Sequence, residues 1–369
     1  MLKNSKYWLA FASLEKTGST FVNKLYDFFN YDIERAWNAD ISDLVNVENI
    51  TKKQIEAFLT EKKNVEPDKC TDYILKSNID FITFDSPNYP ELLRHIYNPP
   101  MTLFVAGDLN RCNLNKTLAI VGSRKASDYS KDILNRIVNG FFGSDICIVS
   151  GLATGIDTAA HYAAINSNLS TIAVIAGGFK NIYPTSNKSL FREIQNSHGA
   201  VISEYWPTCE PIAWRFPHRN RIVSGLSQGT LVAEAALKSG ALITAKLCLE
   251  QGRELMCIPG LVSNPNTEGI YKLLKDGATL VTGPNDVLEA LGWEFKQDNT
   301  KRVKENNSHL SAPENIVYDI ISKDSVNIDD LILKTNMNIG DLMVILTKLE
   351  IDGLIKQTDG DKYISHAVF

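Results

Sequence analysis

Residues 118–160 read LAIVGSRKASDYSKDILNRIVNGFFGSDICIVSGLATGIDTAA, and their apolar runs alternate with an amphipathic segment, which indicates the fold class. Two short apolar runs, Leu118–Val121 and Ile146–Val149, are each followed by a glycine-bearing turn. An amphipathic segment long enough to form a helix lies between them. Apolar strands that alternate with helices are typical of a parallel sheet covered on both faces. The stretch therefore predicts a strand–helix–strand unit of an α/β protein.

The same alternation extends over the central part of the chain, from about residue 67 to residue 292. Further predicted strands are Thr171–Ile175, Ala200–Ser203, Thr230–Ala233, Glu254–Ile258 and Ala278–Val281. Repeated units of this kind predict an extended Rossmann-like fold, a doubly wound and mostly parallel sheet. Ligands of such sheets bind at the carboxyl ends of the strands, so the loops there are the candidate site.

Two smaller regions flank the predicted sheet. Residues 1–66 predict a small helical domain, of the SAM or helix-hairpin-helix type, in which Thr51 is the N-cap of one helix. Its predicted helices are Lys6–Leu14, Ser19–Phe29, Ile33–Asn38 and Lys52–Lys63. Residues 293–310 are polar and predict a linker.

The last region, residues 311–369, predicts a winged-helix domain. Asp359-Gly360 between two short strands is a hairpin signal, and three helices precede it. The helices are Ala312–Ile321, Ile328–Lys334 and Ile339–Leu349. This region carries more acidic than basic residues, so we expect it to contact protein rather than duplex DNA.

Composition limits the function. The chain has 369 residues and a formal net charge of −5, so binding of a polyanion would require positive charge concentrated on one surface. The six cysteines lack zinc-ligand spacing and read as buried residues in a reducing compartment. No apolar run reaches the length of a membrane span. We therefore expect a cytoplasmic protein without a metal or another cofactor.

The loops after the first two strands carry groups suited to bind anions. Gly122, Ser123 and Arg124 combine backbone that can approach a ligand closely with a hydroxyl and a planar guanidinium. A helix follows this loop, and its N-terminus would favour a negative charge. In the second loop, Ser150, Gly151 and Gly155 are small, and Asp157 is expected to cap the next helix.

Two later segments add positive charge. The first interleaves lysines with aromatic residues, a combination suited to stacking unpaired bases. Its candidate residues are Gly178, Lys180, Asn187 and Lys188. The second, residues 212–246, holds five Lys/Arg and one acid, a local net charge of +4, and we expect its basic run to lie in glycine-rich turns rather than on a helix. Its candidate residues are Arg215, Arg219, Asn220, Arg221, Gly240, Thr244 and Lys246.

Taken jointly and in this order, the segments resemble the DprA (Smf) family of DNA-processing proteins. The matching runs are GSRK, SGLATGIDTAAH, IAVIAGGFKNIYPTSN, SEY, FPHRNRIVSGLSQGTLVAEAALKSGALITAKLCLEQGRE, IPG and GATLVT, within residues 118–282. The resemblance implies a homodimer that binds single-stranded DNA, including strands coated with single-strand-binding protein, and loads RecA recombinase in natural transformation. Arg215 stands where the family commonly has asparagine, which implies an added phosphate contact.

One alternative is an enzyme. Gly225–Thr230 followed by Glu234 faintly resembles the motif of nucleoside-monophosphate phosphoribohydrolases, in which the glutamate would assist cleavage of an N-glycosidic bond. The sequence shows no paired carboxylates or nucleophile–base pair at the strand ends. We therefore expect a binding protein without catalytic residues.

Overall fold

The computed structural model describes residues 4–294, 310–351, 354–358 and 362–365. The described residues form two compact units, one within Met1–Gln297 and the other within Asp298–Phe369. The predicted linker falls almost entirely outside the described residues, as does the Asp359-Gly360 turn. The predicted N-terminal helices and the sheet share the first unit, and the boundary at residue 66 stays a prediction.

The first unit begins with helices that pack around aromatic side chains. Trp8, Phe11, Phe21 and Phe58 are buried together in this core. Thr51 caps its helix as predicted, in a reciprocal capping box with Gln54. The helices are α1 (Ser5–Ala12), α2 (Ser19–Phe28), α3 (Ile33–Asn38), α4 (Ile41–Leu44), α5 (Lys52–Lys62) and α6 (Pro67–Leu75).

A nine-stranded sheet in the order β1-β2-β6-β5-β4-β3-β7-β8-β9 forms the centre of the unit. The strands are β1 (Asp80–Thr83), β2 (Thr102–Gly107), β3 (Thr117–Gly122), β4 (Cys147–Ser150), β5 (Ser170–Val174), β6 (Gly199–Ser203), β7 (Gly229–Glu234), β8 (Glu254–Cys257) and β9 (Thr279–Leu280). All neighbours from β6 to β9 in this order are parallel, which confirms the predicted doubly wound class. β1 and β2, which the sequence did not single out, add an antiparallel edge.

Helices cover both faces of the sheet, and the sheet separates two large apolar cores. They are α7 (Glu91–Arg94), α8 (Asp128–Asn139), α9 (Ile156–Asn166), α10 (Lys188–Asn196), α11 (Arg215–Gly225), α12 (Gly240–Glu250), α13 (Glu268–Lys275) and α14 (Pro284–Ala290). Strand order reverses between β3 and β7, where successive strands begin to be added on the opposite side. A crevice opens at such a reversal, outside the carboxyl ends of the strands.

One prediction about this region is wrong. The basic run at residues 215–221 lies on helix α11 and not in glycine-rich turns. Pro217 does not prevent the helix, because it occupies the first turn, where a backbone N–H has no partner within the helix. The arginines of this run are therefore distributed around a helix, and several of them face inward.

The second unit has the predicted winged-helix elements, packed around Val317, Leu342 and Tyr363. They are α15 (Ala312–Ile321), β10 (Val326–Asn327), α16 (Ile328–Thr335), α17 (Ile339–Ile351), β11 (Ile355–Thr358) and β12 (Lys362–Ser365). The three strands pair in the order β10-β12-β11. Among the described residues, no helix has both the length and the apolar character to cross a membrane.

Candidate functional site

A cleft of about 890 Å³ opens at the reversal between β3 and β7. The loop after β3, the loop after β7 with the start of α12, and one side of α11 form its walls. Of the described residues that line it, Asp157 is the only acid, whereas Arg124, Lys125, Arg219 and Lys238 are cationic. Asp157 is buried, and three of the cations are exposed. The cleft therefore presents positive charge to solvent.

Backbone and side-chain hydrogen bonds fix the loop after β3. The amide of Ser123 donates to the carbonyl of Glu234 (2.8 Å), and the amide of Lys125 donates to Oγ of Ser123 (3.1 Å). Ser127 then caps α8. With the backbone held in this way, the side chains of Arg124 and Lys125 extend into solvent at the rim.

Two aromatic rings stand beside this rim. The Arg124 guanidinium lies 5.7 Å from the centre of the Phe216 ring. The Tyr183 ring is 5.5 Å from Phe216 at an angle of 70°, and 52% of Tyr183 is exposed. An exposed ring next to a guanidinium offers a base a stacking surface and its phosphate a cation.

Arg219 lies under the cleft as a buried cation, 4% exposed. Its Nη1 donates to the carbonyl of Gly151 (2.6 Å) and to that of Val174. Burial lowers the pKa of Arg219 to about 10, which leaves it charged at neutral pH. A Cβ at position 151 would overlap the guanidinium, so a larger residue there would displace Arg219 from these carbonyls.

The second loop is also built for internal packing. Gly155 is the N-cap of α9 with φ of 81°, a conformation that favours glycine. Asp157 does not cap α9 as predicted. It is the second residue of that helix, and its Oδ2 accepts from the amides of Gly151 (3.1 Å) and Ala153 (3.3 Å). Burial raises the pKa of Asp157, while these amides and the nearby Arg219 oppose that rise.

The structure brings seven of the predicted site residues together in the cleft wall. They are Gly122, Ser123, Arg124, Arg219, Asn220, Gly240 and Thr244. An adjoining groove contains Gly155 together with Arg124, Lys125 and Lys131. Arg124 belongs to both, so the positive surface continues beyond the cleft.

Seven other candidates lie outside the cleft wall. Ser150 is buried and donates to the carbonyl of Ile120, Gly151 lies under Arg219, and the buried amide of Asn187 donates to the carbonyl of Leu152. These three hold the loops in place. The remaining four are Gly178 against Pro207, the exposed Lys180 near the Tyr73 ring, Lys188 at the start of α10, and Lys246, which pairs with Glu250.

Arg215 and Arg221 depart most clearly from the prediction that they bind DNA. Arg215 is 6% exposed, lies 4.6 Å over the ring of Tyr205 and donates to the carbonyl of Glu210. Arg221 is equally buried and forms a bidentate ion pair with Glu204. Its Nη1 donates to Oε1 (2.7 Å) and its Nη2 donates to Oε2 (2.6 Å). Both side chains point away from the cleft, so the local charge of +4 is not all displayed to solvent.

Glu204 is held ionised by this arrangement. Burial alone would raise its pKa, but the Arg221 guanidinium and His218 hold the pKa of Glu204 at about 2. Glu234, the residue on which the enzymatic alternative depends, is fully buried at the end of β7. Its carboxylate accepts from Ser127 and Ser130 at the start of α8 and so positions that helix.

Three residues of the cleft wall were not among the site residues predicted from the sequence: Lys125, Lys238 and Asn266. Lys238 follows β7 at the strand reversal, so its position after a strand end was the signal available. Within the described ranges, no group of three or more His, Cys, Asp or Glu side chains could hold a metal ion. Five of the six cysteines are buried as small core residues, as the sequence predicted, and Cys209 is half-buried.

Comparison with known proteins identifies the family. Residues 80–292 match the family described as DNA recombination-mediator protein A, and residues 304–361 match the DprA winged helix domain. The DNA processing protein DprA of Bacillus subtilis (strain 168) is 38% identical over 264 residues, which span 69% of this chain and 88% of that protein.

Two solved structures are similar. DNA processing protein A (DprA) from Streptococcus pneumoniae has a TM-score of 0.67 and 32% identity, over 80% of this chain and all of that one. DNA processing protein A from Helicobacter pylori, whose structure describes a single-stranded DNA binding mode, has a TM-score of 0.52 and 28% identity, over 58% of this chain and 96% of that one. The chain therefore belongs to the DNA recombination-mediator protein A family, that of the DprA and Smf proteins.

Proposed function

We propose that this chain binds single-stranded DNA in the cleft between β3 and β7, without catalysing a reaction on it. The observation that carries the proposal is the arrangement of cations and aromatic rings at the rim of this cleft. There Arg124 contacts the Phe216 ring, Tyr183 stands beside that ring, and Lys125 and Lys238 are exposed on the same cleft. Cations next to stackable rings suit a strand whose bases are unpaired, because a duplex hides the faces of its bases.

The similar structure from Helicobacter pylori supports this proposal, since it describes single-stranded DNA binding by a member of the same family. The buried Arg219 adds a fixed charge beneath the cleft, and its Nε has no acceptor in the part of the chain that the structure describes. Strand phosphates at the rim would be held by Arg124, Lys125 and Lys238, and Ser123, Asn220 and Thr244 would offer polar contacts.

The proposal extends to a place in recombination. A protein that covers incoming single strands protects them, and one that also binds RecA recombinase can load RecA on strands coated with single-strand-binding protein. We infer this role, in natural transformation and as a cytoplasmic homodimer, from the family to which the chain belongs. Its test is RecA-dependent strand exchange on coated DNA, which this protein should accelerate at substoichiometric amounts.

The winged-helix unit contacts protein in this proposal. The outward face of α17 carries Met343, Val344 and Ile351, which are 41%, 70% and 78% exposed. Duplex-reading helices concentrate Lys and Arg on such a face. Binding of duplex DNA by residues 311–369 at physiological salt would contradict this assignment.

The deciding experiment compares labelled oligothymidylate with a duplex of equal length by fluorescence anisotropy, over a series of salt concentrations. The full chain should bind the single strand more tightly, and the affinity should fall steeply with salt because each neutralised phosphate releases counterions. Arg124→Ala should weaken binding, whereas Arg136→Ala, which removes an exposed arginine from α8 outside the cleft wall, should not. Equal affinity for both DNA forms, or no effect of Arg124→Ala, would contradict the proposal.

A further inference from the structure

The groove that adjoins the cleft has a volume of about 460 Å³ and opens between the first turns of α8 and α9. Among the described residues that line it, Arg124, Lys125 and Lys131 are cations and none is an acid. Arg124 and Lys125 are exposed and also line the cleft. The positive surface is therefore continuous from the cleft into the groove.

The cleft and the groove lie toward opposite faces of the sheet. Helices α11 and α12, which bound the cleft, bury Ile222 and Ala245 in one of the two large apolar cores. Helices α8 and α9, which bound the groove, bury Leu134 and Ala160 in the other. The loop after β3 lies at the carboxyl edge of the sheet, and Arg124 on this loop lines both spaces. A chain that left the cleft over this loop would therefore enter the groove.

Lys131 is the cation that lines the groove and not the cleft. Its Nζ lies 3.0 Å from Oδ1 of Asp128, three residues earlier on α8, and the two side chains are 40% and 94% exposed. An ion pair that is so exposed contributes little to stability. Lys131 can therefore exchange the Asp128 carboxylate for a phosphate of a bound strand.

Helix α9 carries an exposed ring on the side that lines the groove. Thr158 and Ala159 belong to the groove wall. Tyr162 follows them at spacings that share one helix face, and it lies about 6 Å farther along the helix axis than Thr158. It is 37% exposed. The groove thus repeats the combination found at the cleft rim, in which cations stand near a ring on which a base can stack.

We propose that a single strand held in the cleft continues over the loop after β3 into the groove, where Lys131 binds one of its phosphates and Tyr162 stacks one of its bases. This path rests on the proposed function, since the strand must first be held in the cleft. It gives the protein a second contact surface for the same strand, so the complete binding site is longer than the cleft.

The test is a series of labelled oligothymidylates from about 4 to about 16 nucleotides long, the range of site sizes of single-strand-binding modules. Fluorescence anisotropy of the full-length protein gives the affinity for each length. Lys131→Ala should leave the affinity for the shortest strands unchanged and weaken binding of the longest about threefold to tenfold. For the longest strand it should also lower the dependence of log affinity on log salt by about 0.7, the value for one phosphate.

The ring is tested on the longest strand. Tyr162→Ala should weaken binding at least about fivefold, the lower range for loss of a base–aromatic stack, and Tyr162→Phe should restore most of the affinity. Tyr129→Ala is the matched control, because Tyr129 is 43% exposed on α8 and lines neither the cleft nor the groove. Equal affinities of Tyr162→Ala and Tyr129→Ala would overturn the role of the ring.

Arg136→Ala is the control for the lost charge, since Arg136 is exposed on the same helix as Lys131 and lies outside the groove wall. An effect of Lys131→Ala no larger than that of Arg136→Ala at every length would overturn the path, as would equal effects of Lys131→Ala on the shortest and longest strands.

Arg124→Ala separates the path from the proposed function. If it weakens binding at every length while Lys131→Ala has no effect, the strand stays in the cleft and only the path into the groove is refuted. If Lys131→Ala weakens binding of long strands while Arg124→Ala has no effect, the cleft is refuted as the place that holds the strand.

Discussion

The loop after β3 and helix α11 both carry arginine, but they hold it in opposite ways. Arg124 extends from a hydrogen-bonded loop into solvent, and its guanidinium lies 5.7 Å from the centre of the Phe216 ring. Arg221 is 6% exposed, and both Nη atoms of its guanidinium donate to the Glu204 carboxylate. Its Nε donates to the carbonyl of Asn98. A basic residue therefore contributes to binding only where the fold leaves its charge without an acidic partner.

Loss of the buried ion pair between Arg221 and Glu204 should change stability most. Arg221→Ala should lower the free energy of unfolding by about 3 to 5 kcal/mol, because removing one partner leaves the Glu204 carboxylate buried without its counter-charge. Urea denaturation followed by circular dichroism measures this change. Arg136→Ala, an exposed arginine on α8, should alter the same free energy by less than about 0.5 kcal/mol. Equal effects of the two changes would mean that the Arg221–Glu204 pair does not stabilise the fold more than an exposed arginine does.

The second effect is on acid stability. The pKa of Glu204 is held near 2 in the folded protein, against an ordinary value of 4.5. Since the folded-state pKa is depressed, the contribution of Glu204 is complete above pH 4.5 and is lost as the pH falls from 4.5 toward 2. It amounts to about 3 kcal/mol. The decline in unfolding free energy over this interval should be shallower in Glu204→Gln, and parallel curves for the two proteins would refute the assignment.

The third effect concerns the exposed arginine. Arg124→Ala should weaken the binding of single-stranded DNA about tenfold to a hundredfold, the range for one lost charge-assisted contact. It should also reduce the dependence of log affinity on log salt by about 0.7, the value for one phosphate of a single strand. Its unfolding free energy should match that of the unaltered protein. A stability loss like that of Arg221→Ala would mean that Arg124 is structural.

The smallest effect is expected at Lys246. This lysine pairs with Glu250 on the surface of α12, at 3.5 Å and 78% side-chain exposure, and it lies outside the cleft wall. Lys246→Ala should change the unfolding free energy by less than about 0.5 kcal/mol. DNA affinity should change less than in Arg124→Ala at every salt concentration. A larger loss than in Arg124→Ala would show that the strand follows α12 instead of the rim.

The sequence predicted the parallel part of the fold closely because the strands from β3 to β8 are almost continuous apolar runs. Helices α3 and α15 have the predicted bounds. It did not single out β1 and β2, whose antiparallel pairing joins segments that are distant in sequence. β1 is also a four-residue strand with partly exposed side chains, so it lacks a buried apolar pattern.

The site was less predictable than the fold. The loops at the strand ends, and Arg124 in one of them, could be located from the sequence. The carboxyl end of a strand faces solvent where the strand order reverses. Arg215, Arg219 and Arg221 could not be sorted, since their burial depends on which sides of α11 pack against the sheet and the N-terminal helices. That packing is set by tertiary contacts that residue type and spacing do not encode.

The missing side chain at Gly151 has a consequence for how such proteins diverge. The guanidinium of Arg219 occupies the space where a β-carbon of residue 151 would stand. We therefore expect substitutions at the two positions to occur together. A descendant that gains alanine at 151 must also move or shorten the side chain at 219. Paired replacement at these two sites would therefore mark a lineage whose cleft floor has lost its buried charge.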